Sequence, residues 1–298
     1  MEQPRNISAN RKSPYYSVRT GKNDQSAAID LPTLLGMFKT LFLQFEGEGY
    51  FQKSLGYECV DDGFVPGELG YDLQGTVLLE LRKTGLTPIH RQIEQYSEDD
   101  LFDMIEFLHD HCAKPTKRYY HSFNNCGWHC QEFDIGAGRT EFREKVNKVL
   151  AIYSDGFELS SDGEVLSLAE TGLEGLFEAP LPTLDPSNVE QRIDAARRKF
   201  RRHRSSLEDR RDAIRELADV LEYLRPQLKQ VLQPKDESDL FNLANNFGIR
   251  HHNPSQKTAY DKGIWYSWMF YYYLATLHAA LRLIVRANTT TKEQLESL

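Results

Sequence analysis

Apolar positions in the stretch DLPTLLGMFKTLFLQFEGEGYFQKSLG (Asp30–Gly56) recur at roughly helical spacing: Leu34, Phe38, Leu41, Leu43 and Phe45. The pattern predicts an amphipathic helix that Gly47 and Gly49 end. The next apolar run, GTVLLELRKTGLTPI (Gly75–Ile89), opens like a strand and extends equally well as a helix, so its state stays open. SEDDLFDMIEFLHDHC (Ser97–Cys112) is clearer: Ser97 and Asp100 fit a capping box, and Leu101, Met104, Ile105 and Leu108 make one apolar stripe. A loop is expected from Lys117 to about Ile135. A helix then follows over Gly138–Tyr153, with Phe142, Val146, Val149 and Leu150 on one side. Two short apolar runs around Ser-Asp-Gly in GFELSSDGEVLSL (Gly156–Leu168) signal a hairpin.

A Pro-rich passage, EAPLPTLDPSN (Glu178–Asn188), reads as a domain boundary. Beyond it the pattern is helical throughout. One helix starts at a Ser cap in SNVEQRIDAARRKFRRHR. A second carries Leu207, Ile214, Leu217, Leu221 and Leu224 and is expected to stop at Pro226. A third, DESDLFNLANNFG, should stop at Gly248, and the last is an aromatic helix near Asp261–Arg286. Four helices with short joins make a bundle. The resulting division is a flexible polar arm (1–29), an α+β domain (30–177), a linker (178–187), a helical domain (188–290) and a tail (291–298).

Composition adds limits to this picture. The chain has 298 residues, 40% hydrophobic, 11% aromatic and 27% charged, the profile of a folded protein of about two domains. Four cysteines (Cys59, Cys112, Cys126, Cys130) do not suggest a disulfide framework, and thiols in a reducing cytosol are the expectation. The polar N-terminus lacks the apolar core of a secretory signal. GIWYSWMFYYYLATLHAALRLIV (Gly263–Val285) has about the length of a membrane span, but it is rich in Tyr and holds His278 and Arg282. A buried core helix is expected instead, with its aromatics serving the core and a dimer interface. No membrane partner is expected, and the location is cytoplasmic.

The net charge of −8 argues against a protein that coats nucleic acid over its whole surface. The charge is uneven, however: ARRKFRRHR (Ala196–Arg204) carries six Lys/Arg in nine residues. Such a run fits a confined polyanion site contacted by Arg197, Arg198, Arg201 and Arg202. It fits equally a solvated helix face laced with Glu208, Asp209, Asp212 and Glu216.

Two constellations carry candidate chemistry. The first is LANNFGIRHHNPSQKTAYD (Leu243–Asp261), where Arg250, His251, His252 and Asn253 lie on the connection between the third and fourth predicted helices. Arginine offers a planar fork for phosphate, and histidine exchanges protons near neutral pH. Ribonucleases that use the 2′-hydroxyl as nucleophile need a base, an acid and a cation for the phosphorane, and no metal. The second is the His/Cys group from His109 to Cys130: His109, His111, Cys112, His121, Cys126, His129 and Cys130. Thiolate and imidazole are zinc's ligands, but two tight ligand pairs are missing. A packed loop around Trp128 and Tyr119, with no metal or cofactor, is the expectation. GAGRTEF is no phosphate-binding loop, and neither G-x-S-x-G nor H-E-x-x-H occurs.

Two stretches resemble AbiJ-like abortive-infection proteins of bacteria. EFREKVNKVLAIYSDGFELSSDGEV (Glu141–Val165), with CGWHCQEFD ahead of it, resembles the AbiJ N-terminal domain. RDAIRELADVLEYLRPQLKQVL, DLFNLANNFGIRHHN and YDKGIWYSWMFYYYLATLHAALRLI resemble a HEPN-like domain, a four-helix bundle. Its ribonuclease members carry R-x(4–6)-H after the third helix. The likeness covers roughly Ser97 to Arg286. It implies an α+β N-terminal domain followed by an all-α four-helix HEPN-like bundle, and a metal-independent endoribonuclease acting on RNA as a homodimer in anti-phage defence, answering a phage trigger or partner protein. Arg250 would hold phosphate, with His251 or His252 as acid and base. The sequence departs from the motif, because Pro254, Ser255 and Gln256 stand where its histidine belongs. The adjacent histidines must then substitute, or the domain binds RNA, nucleotide or a partner protein without cleaving.

Overall fold

A computed structural model describes residues 15–22, 24, 27–170, 172–233 and 260–296. The chain forms two compact units, Met1–Leu168 and Ala169–Leu298. Among the described residues, no helix is long and apolar enough to cross a membrane.

In the first unit, helix α1 (Leu31–Gly47) begins where the Asp30 carboxylate accepts from the Thr33 amide at 3.0 Å. It buries Leu34, Leu35, Phe38, Phe42 and Phe45. Leu43, expected on that stripe, is turned outward at 44% exposure, and Phe42 takes its place. The undecided apolar run forms α2 (Leu73–Leu81), capped by Asp72 and stopped by Arg82 in the left-handed region. Helix α3 (Glu98–Asp110) carries the expected Ser97–Asp100 capping box. Helix α4 (Ile135–Leu150) starts three residues early, because the Asp134 carboxylate caps it through the Ala137 amide at 2.9 Å.

Among the described residues, three separate antiparallel hairpins accompany these helices: β1–β2 (Tyr57–Cys59, Gly63–Val65), β3–β4 (Lys114–His121, Gly127–Asp134) and β5–β6 (Phe157–Leu159, Val165–Ser167). The third is the hairpin expected from the sequence. The second replaces the expected loop, and the first was not anticipated. Hairpin β5–β6 joins the helical core through Phe157, Leu159 and Val165. The Asn147 side chain clamps it, donating to the Leu159 carbonyl (3.1 Å) and accepting from its amide (2.6 Å). The Glu106 carboxylate accepts from the Val165 amide at 2.7 Å.

Hairpins β1–β2 and β3–β4 stand apart, since none of their residues belongs to that core. Polar contacts and two glycines tie them down. The Gln52 amide pairs with β4, donating to the Trp128 carbonyl (2.8 Å) and accepting from the Cys130 amide (2.9 Å). Gly56, at φ 83°, leads into β1 so close to β2 that a Cβ would lie 2.3 Å from the Val65 oxygen. Gly138 lets α4 approach the start of β3, where a Cβ would lie 2.5 Å from the Lys114 nitrogen.

The described part of the second unit holds only helices. Asp185, not the anticipated serine, caps the turn Pro186–Glu190, which leads into α5 (Gln191–Arg201). Helix α6 (Leu207–Val231) starts at a Ser206–Asp209 capping box and runs on through Pro226, which was expected to end it. Helix α7 (Lys262–Glu296) extends ten residues past the expected Arg286. Their core is Ile193, Ala196 and Phe200 of α5, the Leu217–Leu221–Leu224 face of α6, and Tyr266, Phe270, Tyr273 and Leu277 of α7. Phe270 stacks on Phe200 with ring centroids 3.9 Å apart. Trp265 and Trp268 remain partly exposed at 38% and 44%. The Pro-rich passage read as a linker belongs to this unit, because Leu181 and Leu184 pack on its core. The third predicted helix, DESDLFNLANNFG, lies outside the described residues. The chain is therefore an α+β unit followed by a helical one.

Candidate functional site

Arg250, His251, His252 and Asn253 lie outside the described residues. The four candidate arginines of the basic run are described, and they differ in placement. Arg197 is turned inward. Its guanidinium pairs with Asp194 (3.2 Å) and donates to the Leu176 carbonyl and to His278 Nε2, each at 3.2 Å. Arg201 lies over the Phe177 ring at 4.8 Å, Arg198 is half-buried and Arg202 is exposed.

The charges around this run are laced with acids. Lys199 pairs with Asp212 at 3.2 Å and Arg192 with Glu216 at 2.5 Å. Lys199, Asp212, Arg215, Glu216 and Asp219 line a cleft of about 490 Å³ between α5 and α6. The pKa of His278, near Arg197, is lowered: burial acts first, and the Arg197 and Arg282 charges add to it against the hydrogen bond to Leu176 that raises it. The Leu176 carbonyl accepts from Arg197 and also lies 3.2 Å from His278 Nε2, so the three groups form one part-buried contact.

The His/Cys group of the first unit resolves into two populations. Cys112 is buried, with its thiol toward the Gly138 carbonyl at 3.5 Å, and burial raises its pKa to about 12. Cys130 sits against Gly49, where a Cβ would lie 2.6 Å from its sulfur. His109 is buried beside Gly163, and His111 faces Glu80 at 3.5 Å. Those four are scattered. His121, Cys126 and His129 come together, joined by Cys59, which the sequence does not suggest as a partner. One ligand atom from each of the four lies within 4.8 Å of the others.

Local structure explains the convergence. Cys59 ends β1 and pairs with Gly63 across the hairpin, while His121 ends β3 opposite Gly127. Between β3 and β4, Asn124, Asn125 and Gly127 all take positive φ (47°, 57° and 115°). Asparagine and glycine tolerate this conformation best, and the resulting tight curl returns Cys126 toward His121. His129 lies opposite Tyr119 in the β3–β4 register, and Tyr57 of β1 packs on its ring at 4.5 Å.

Each group in the cluster is oriented. His129 turns Nε2 toward Cys126 Sγ (3.2 Å), and its Nδ1 meets the Tyr119 hydroxyl at 2.9 Å. His121 turns Nδ1 toward Cys59 Sγ (3.8 Å), and its Nε2 meets the Asp61 carboxylate at 3.2 Å. The Val60 amide donates to Cys126 Sγ at 3.4 Å. Burial, then the neighbouring His121, lowers the pKa of His129. Cys59 and His129 are buried, and Cys126 and His121 are half-buried. Compared with protein-family models, with curated proteins and with solved structures, the chain matches none of them.

Proposed function

We propose that the helical unit is a HEPN-like module directed at RNA, working as a homodimer in bacterial anti-phage defence. In this reading it is a metal-independent endoribonuclease. A histidine of the His251–His252 pair takes the 2′-hydroxyl proton, the oxygen attacks the adjacent phosphorus, and the 5′-oxygen leaves protonated by the other histidine. Arg250 offsets the charge on the phosphorane. The observation that carries the reading is the position of the Arg-His-His-Asn run in the chain, between α6 and α7, two helices that share one core. The sequence resemblance to HEPN domains supports it. Purified full-length protein incubated with total RNA is the test, alongside Arg250→Ala and His251→Ala/His252→Ala. Cleavage should fall at least about 100-fold in both variants. Equal cleavage by all three proteins would remove the site assignment.

A second reading keeps the RNA and drops the cleavage. The absence of histidine at Pro254, Ser255 and Gln256 favours a module that binds RNA, nucleotide or a partner protein. The inward pairing of Arg197 takes one cation out of the basic run's surface. Binding would then rest on Arg198, Arg201 and Arg202 and weaken steeply with salt.

A further inference from the structure

We propose that Cys59, His121, Cys126 and His129 bind one zinc ion as a closed, structural site that fastens hairpin β1–β2 to hairpin β3–β4. The inference is independent of the RNA reading. It begins from donor chemistry. Two thiols and two imidazoles with no carboxylate among them are soft and borderline ligands, the set that selects zinc over calcium or magnesium. Geometry agrees. Zinc–sulfur bonds near 2.3 Å and zinc–nitrogen bonds near 2.0–2.1 Å place tetrahedral ligand atoms about 3.3–3.8 Å apart. The Cys126–His129 contact is 3.2 Å, the Cys59–His121 contact 3.8 Å, and all four atoms fall within 4.8 Å of one another.

The surroundings are those of a metal site rather than of casual packing. A ligating imidazole normally gives its second nitrogen to an oxygen that fixes the ring, and a thiolate commonly accepts from backbone amides. Both histidines show this arrangement, through Asp61 and Tyr119, and Cys126 receives the Val60 amide. Cys112, buried, and Cys130, half-buried, provide a comparison inside the same unit: the Cys112 thiol points at the Gly138 carbonyl, and the Cys130 sulfur sits against Gly49.

The fold supplies a reason for the metal. A lone two-stranded hairpin is marginally stable at best, and β1–β2 has three residue pairs. Neither this hairpin nor β3–β4 contributes a residue to the apolar core. A four-ligand ion joins segments 62 residues apart, from Cys59 to His121, and so replaces the burial that these hairpins lack. Four protein ligands leave no coordination position for water, so the role is structural. The two thiols each lose a proton on binding, and the resulting charges neutralise the divalent ion.

The experiment uses the full chain purified under reducing conditions without metal-affinity resin. Elemental analysis should find about one zinc per chain in the native protein and in Cys130→Ser. In Cys59→Ser/Cys126→Ser it should fall below about a tenth of that. Retention by the double variant overturns the site, and so does a loss in Cys130→Ser as large as in the double variant. So does a native protein that takes up neither zinc nor cobalt when one equivalent is added, or one in which mass spectrometry finds Cys59 and Cys126 joined as a disulfide. If the double variant does not fold, cobalt substitution of the native protein decides. A thiolate-to-cobalt charge-transfer band with intense tetrahedral d–d absorption supports the site, and weak octahedral absorption alone overturns it.

Discussion

Asn147 shows how much one side chain carries in the first unit. It satisfies both backbone groups of Leu159, a fully buried strand residue, so its loss leaves a donor and an acceptor without partners. Asn147→Ala should destabilise the protein by about 1–3 kcal/mol, read as a lower midpoint in urea unfolding. His278 makes a prediction in pH. Its folded pKa lies below its unfolded value because burial and the Arg197 and Arg282 charges disfavour the imidazolium. The unfolded chain therefore takes up the proton first. Stability is full above an unfolded pKa of about 6.5 and is lost as pH falls below it. Melting temperature should drop between about pH 7 and pH 5, and His278→Gln should flatten the drop. An unchanged slope in that variant would place the sensitivity elsewhere, for example at His109, whose pKa burial also lowers.

At the scale of elements, the approach of α4 to β3 rests on Gly138. Gly138→Ala must push apart the helix start and the Ala113–Lys114 backbone, and about 1–3 kcal/mol of stability should be lost. Denaturant unfolding of the full chain measures it, and a neutral effect would mean that the contact is slack. The helices were legible in the sequence because each buries one face. The stripes of α3 and α4 follow their cores, and the Ser97–Asp100 capping box sits where the motif says. The α1 stripe holds at Leu34, Phe38 and Phe45 and differs at one position, where Phe42 is buried in place of Leu43, since both are apolar and only packing chooses between them. Hairpin β3–β4 was not legible. From Thr116 to Tyr120 both faces of β3 are exposed, so no alternation of hydrophobic and polar residues marks it. Pro226 does not end α6, although an interior proline costs the helix a backbone hydrogen bond, because Leu224 and Leu228 on either side of it are both buried and hold the helix across it.

For the whole molecule, the sequence pointed to an α+β part before a helical part, and the chain divides in that order, after Leu168. The candidate metal centre was half legible. His121, Cys126 and His129 lie close together in the chain and invited the thought of zinc, but the fourth ligand is far upstream. Cys59 is joined to them only by the hairpins, and their formation left no pattern to read. The RNA reading of the helical unit rests on the order of residues between α6 and α7, and cleavage by the Arg250 and His251/His252 variants judges it. The metal centre makes the sharper structural claim. Zinc-edge X-ray absorption of the purified, reduced full chain tests it most directly. The account predicts two sulfur neighbours at about 2.3 Å and two nitrogen neighbours at about 2.0–2.1 Å. A zinc shell of nitrogen and oxygen alone, or a protein that holds no zinc, would contradict it.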